Sequence, residues 1–189
     1  MQGARFLRLG VPYFNPDDAA RRILLANPGI TQERANSAAW NQGKRLLESA
    51  IAGRRDFAFE TTLGGRTFTT LLGKAASEGI EVRVWYVGLS SPELHIARVL
   101  RRVAGGGHNI PEAKIRERYN SSRLNLIRLL PKLTELRVYD NSEEADPRTG
   151  AAPEPKLILH MAGGKVLNTC ELTLAPQWAK PILAAVLRI

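Results

Sequence analysis

A layered α/β domain with a mainly parallel sheet is the fold class this sequence predicts, and three observations carry it. Strand-like and helix-like segments alternate almost throughout the chain, the pattern of parallel strands joined by crossover helices. Hydrophobic residues make up 44% and charged residues 24%, a balance that builds a packed core and departs from the composition of disorder. The length of 189 residues suits one hydrophobic core of about 100 to 200 residues, so a single domain over 1–189 is expected.

The elements follow in order. "VPYFN" is the first short strand, after which Asn15 offers a helix N-cap. Pro16 suits the first helical position, and Asp17 and Asp18 fall in the first turn, where the helix dipole favours negative charge. Thr31 can cap a longer helix running to about Ala52, closed by Gly53. "DFAFE" is the second strand, and Phe68, Leu71, Leu72 and Ala75 give the next helix an apolar face. "IEVRVWYVGL" is the third strand, alternating and then wholly apolar, as for a strand buried on both faces. A helix from about Pro92 to Val103 is interrupted by "AGGGHNIP", and Pro111 restarts a helix that places Ile115, Tyr119, Leu126 and Leu130 on one face.

"ELRVYDN" is the fourth strand, followed by a polar, Pro-rich loop, "SEEADPRTGAAPEP". "KLILHM", "AGG" and "KVLNTCEL" read as an appended hairpin, and Trp178, Ile182 and Val186 mark a closing helix, so the C-terminal addition covers 155–189.

The formal charge is +9 with a pI near 10.2, which favours anionic partners. The excess is concentrated: from Arg98 to Arg128 there are eight Lys or Arg against two acids, Glu112 and Glu117. One cysteine, Cys170, cannot form an internal disulfide, and no Cys/His cluster has metal-site spacing, so no metal ligands are assigned. A reducing cytoplasm fits, and no apolar stretch of about 18 residues suggests a membrane span.

Ligands of parallel α/β sheets collect beyond the carboxyl ends of the strands. In "FAFETTLGG", Phe57 and Phe59 can bury while Glu60, Thr61 and Thr62 emerge at the strand end and Gly64 and Gly65 let the backbone turn close to a ligand. Ordinary capping of the helix starting at Arg66 explains the same residues. Asp17 and Asp18 pose the same choice, between helix capping and a carboxylate that takes a proton in phosphoryl transfer. "RVLRRVAGGGHNIPEAKIRERY" places arginines on one helix, a glycine hinge, a histidine and further arginines. It reads either as a lid folding cations over a polyphosphate or as a basic surface helix pair. Arg98 and Arg102 share a helix face, whereas Arg116 and Arg118 point in different directions.

The ordered set "YFNPDDAAR", "FAFETTLGGR", "VRVWYVGLSSPELHIARVLRRVAGGGHNIP" and "IRERYNSSRLNL", ending near "RVYDNS", resembles the zeta-toxin group of P-loop kinases over roughly Phe6 to Asn141. The resemblance implies a bacterial nucleoside-kinase-like fold and phosphorylation driven by ATP and Mg2+, with a UDP-linked N-acetyl amino sugar as substrate in the best-known members. By position, Asp17 matches the proposed general base, and Glu60, Thr61, Thr62 and Arg66 match the substrate-contacting strand end. Arg98 and Arg102 sit where the family places a phosphate-binding arginine. His108, Arg116 and Arg118 belong to the lid region on the phosphate side, and Asn141 borders the adenine side.

The family's opening strand, GxxxxGK[ST] loop and helix find no match here, and "GARFLRLG" looks like the end of that helix only. Without the loop, the backbone cradle, the phosphate-binding lysine and the hydroxyl on Mg2+ are lacking. The expectation is therefore an N-terminally truncated kinase, inactive in this form, with either a gap or new strand pairing between "DFAFE" and "VRVWYVG". Its rival is a non-catalytic remnant that binds an anionic ligand or an antitoxin-like protein. Nucleic-acid binding is disfavoured because Tyr119 is the only aromatic among the lid cations.

Overall fold

The computed structural model describes residues 6, 8–105, 107–144 and 154–189. Half of the expected remnant helix at 3–10 and most of the Pro-rich loop at 142–155 lie outside these residues. The chain forms two compact units, Met1–Thr62 and Leu63–Ile189.

In the first unit, β1 (Tyr13–Phe14) pairs in parallel with β2 (Ala58–Phe59), with Phe14 opposite Phe59. Between them run α1 (Pro16–Ala26) and α2 (Gln32–Ala52). Asn15 caps α1 by accepting from the Asp17 and Asp18 amides, and Thr31 caps α2 by accepting from Arg34, as the sequence predicts. Ala19, Ala20, Ala35, Ala39 and Phe14 form the buried core, with Phe57 and Phe59 packed against it. Gly43 continues the small face of α2: a Cβ there would lie 2.6 Å from the Phe14 ring, so that face is cut back to admit Phe14.

The second unit begins with α3 (Arg66–Ser77) and β3 (Arg83–Gly88), continues through α4 (Pro92–Ala104) and α5 (Glu112–Leu129), and reaches β4 (Glu135–Asp140). The hairpin β5 (Lys156–Ala162) and β6 (Lys165–Thr169) and the helix α6 (Lys180–Val186) follow. Strand order is β3-β4-β5-β6, with β3 and β4 parallel and the hairpin antiparallel. Gly163 and Gly164, both at positive φ, close the hairpin in a turn that suits the strand twist.

β2 and β3 belong to different sheets. β3 departs from the expectation of burial on both faces: Trp85 and Val87 are 37% and 46% exposed. Its other face packs inward, with the Tyr86 hydroxyl hydrogen-bonded to Ser122 of α5. The run of apolar residues therefore hides a period-2 pattern of exposure.

Trp178 stands in the turn before α6 and not on that helix's face. It is 3% exposed, donates to an Asp140 Oδ1 3.2 Å away, and lies so close to Gly88 that a Cβ there would sit 2.3 Å from the indole. Gly88→Ala is expected to cost about 1–3 kcal/mol through overpacking, read as an earlier urea midpoint. Gly65→Ala, where a Cβ meets nothing within 4 Å, serves as control and stays within about 0.5 kcal/mol.

Candidate active site

Parallel pairing of β1 with β2 brings their carboxyl ends side by side, since the Glu60 amide donates to the Phe14 carbonyl at 3.0 Å. Asn15, the next residue beyond β1, then serves two partners with one side chain. Its Oδ1 accepts from the Asp17 and Asp18 amides at 2.8 and 3.1 Å, and its Nδ2 donates to Glu60 Oε2 at 2.9 Å. The Tyr13 hydroxyl donates to the other Glu60 oxygen. Burial, reinforced by the Glu60 carboxylate, pushes the Tyr13 phenol up to about 12, so it remains a donor throughout the physiological range. Glu60 is thus an exposed carboxylate aimed by two donors.

The two acids that open α1 separate in this geometry. Asp18 pairs with Arg21 at 3.3 Å. Asp17 is exposed, and its carboxylate has no hydrogen-bond or ion-pair partner among the described residues. Thr61 and Thr62 are also exposed beyond β2.

In the second unit, α4 opens on a Ser91 cap, and α5 begins after Pro111. Between them the backbone turns back on α4: the Gly107 amide donates to the Arg102 carbonyl at 2.9 Å, and a Cβ at Gly107 would lie 2.8 Å from the Arg102 side chain. Glycine is required for that approach. The cations are not equivalent. Arg98 donates to the Glu143 carbonyl at 2.8 Å, Arg101 pairs with Glu144, and Arg116 pairs with Glu93 at 2.6 Å. The bond from Arg116 holds the Glu93 carboxyl below the usual range. Arg102, Arg118 and His108 have no ionic or hydrogen-bond partner for their side chains among the described residues. The Arg118 stem instead lies against Gly64, where a Cβ would come within 2.7 Å. Asn141 is anchored through its backbone amide to the Gly88 carbonyl at 2.9 Å, and Arg66 is exposed at the start of α3.

Sequence reasoning missed three participants. Tyr13 and the second role of Asn15 depend on a contact 45 to 47 residues away along the chain. His95 stacks edge-on against Tyr119 with ring centroids 5.7 Å apart; burial, with Arg98 nearby, holds it below the usual histidine range.

Among the described residues no group of three His, Cys, Asp or Glu is placed to hold a metal ion. These residues do not fit a Mg2+ centre of their own.

No solved structure matches the chain. An uncharacterized protein of Haemophilus influenzae is 31% identical over 103 residues, covering 54% of this chain and 71% of that protein. A model of the zeta toxin family matches residues 19–146, a span that contains Glu60 and the lid cations and begins two residues after Asp17. The chain belongs to the zeta toxin family, whose fold is that of P-loop kinase-like, nucleotide-binding proteins.

Proposed function

We propose that the protein is an ATP-dependent kinase of the zeta-toxin type that phosphorylates a hydroxyl of a nucleotide sugar or similar small substrate. The observation that carries this reading is the strand-end pair: Glu60 held by Tyr13 and Asn15, and an Asp17 whose carboxylate has no partner among the described residues and whose backbone amide is held by the same asparagine. Asp17 takes the proton of the acceptor hydroxyl as its oxygen attacks the terminal phosphorus of ATP. Glu60, with Thr61 and Thr62, accepts hydrogen bonds from substrate hydroxyls and fixes the attacking group. Arg66 assists at the substrate end. Arg98, Arg102, Arg116, Arg118 and His108 are the pool of cations for charge developing on the transferred phosphoryl group, and Asn141 borders the adenine.

A second reading is a non-catalytic member binding an anionic ligand or an antitoxin-like protein, for which the formal charge of +9 speaks; these 189 residues themselves contain no GxxxxGK[ST] loop. The loop's amides and lysine normally hold the donor phosphates. The purified 189-residue chain is therefore expected to show no saturable ATP–Mg2+ binding below about 1 mM and no phosphoryl transfer. Calorimetry and radiolabelled ATP check both. Tight binding with turnover by this chain would refute the assigned role of the loop.

A further inference from the structure

The segment that leaves β4 folds back onto the arginines of α4. Asp140, the last residue of β4, directs that turn: its Oδ1 accepts from the Ser142 amide at 3.2 Å and from the Ser142 hydroxyl. The indole of Trp178, 3% exposed, donates to the same oxygen at 3.2 Å and holds the carboxylate in place. The Asn141 amide, bonded to the Gly88 carbonyl at 2.9 Å, is a second anchor. From these anchors the chain reaches α4 with two consecutive acids. The Glu143 carbonyl accepts from Arg98 at 2.8 Å, the Glu144 carboxylate pairs with Arg101, and the Glu143 carboxylate pairs with Lys156, the first residue of β5.

One dipeptide thus occupies two of the three arginines of α4. The contacts are of a kind that exchanges. Both ion pairs are more than half exposed, where such pairs contribute little to stability. Arg98 donates to a neutral carbonyl, and a phosphate oxygen in that place would make a charge-assisted bond about twice as strong. The seated dipeptide also sets two negative charges beside the arginines, which repel an approaching anion over about a Debye length.

We propose that Glu143–Glu144 is an internal competitor for an anion site on α4: it holds Arg98 and Arg101 when no phosphate is bound, and a polyphosphate displaces it. The site's anchors, Asp140 and Trp178, lie on the other side of the turn, so the acids can leave while the turn stays formed. The proposal rests on the reading in which Arg98 meets phosphate. It needs neither Asp17 nor turnover, so a failure of phosphoryl transfer and a failure of this competition are separate results.

The test titrates inorganic tripolyphosphate into the whole 189-residue chain at low ionic strength, followed by phosphorus NMR. Glu144→Gln, a change at an exposed side chain that leaves the fold intact, is expected to tighten binding about threefold or more, because it removes both the competing partner and its repulsion. Glu48→Gln, the same change of charge on α2, should leave binding unchanged. Adding Arg98→Gln and Arg101→Gln to Glu144→Gln should cancel the gain. The proposal is overturned if Glu144→Gln binds tripolyphosphate no more tightly than the parent, if Glu48→Gln gains as much, or if the gain survives loss of both arginines.

Discussion

Asp17→Asn, made in a version carrying a GxxxxGK[ST] strand, loop and helix at its N-terminus, is expected to lower turnover by about a hundredfold or more, the range for loss of a general base. Folding and ATP affinity should stay intact. Asp17 contributes to stability only through the dipole of α1, worth at most about 1 kcal/mol at an exposed position, and the Asn15 cap remains. Asp18→Asn is the informative neighbour. Its carboxylate is engaged by Arg21 on an exposed surface, a pair of little energetic weight, so its loss should leave turnover within about twofold. Equal behaviour of the two mutants, or a larger effect at Asp18, would show that Asp17 does not hold the role assigned to it.

Glu60→Gln is expected to cost the same kinase-competent version more in activity than in stability. The residue is exposed at a strand end, and its two donors, Tyr13 and Asn15, can keep one amide oxygen as acceptor. A stability loss near 1 kcal/mol is the expectation for such a change, against a fall in kcat/KM of about tenfold or more if the carboxylate orients a substrate hydroxyl. Thermal melts and kinetics on one sample separate the two. A large drop in Tm with unchanged kcat/KM would make Glu60 a structural strut between β1 and β2.

Local signals carried most of the secondary structure. The run Asn15–Pro16–Asp17–Asp18 announces α1, the span from Thr31 to Gly53 delimits α2, and the paired glycines at 163 and 164 mark the hairpin. What could not be read locally is what depends on partners far along the chain. "VPYFN" and "DFAFE" carry strand-forming residues, yet only two residues of each are paired, because a strand's length is set by its neighbours and not by its own propensity. The apolar run at β3 gave no sign that Trp85 and Val87 would stay exposed. Trp178 has the spacing of a core helix residue with Ile182, but it packs against a glycine 90 positions earlier.

The candidate site was legible by residue type and not by pairing. Asp17 and Glu60 stand out in the sequence, whereas the asparagine that links them looks like a cap and nothing more. The lid arginines look alike as sequence, and only the carboxylates and carbonyls around them divide Arg98, Arg101 and Arg116, already engaged, from Arg102 and Arg118, which have no such partner among the described residues.

Phosphoryl transfer from radiolabelled ATP to a UDP-linked N-acetyl amino sugar, measured side by side for the 189-residue chain and the P-loop-bearing version, tests the kinase reading most directly. Label should appear on the sugar only with the P-loop-bearing version, and the signal should vanish with Asp17→Asn. Absence of transfer to this and related hydroxyl substrates by a folded, ATP-binding P-loop version would contradict it and leave the non-catalytic reading in its place.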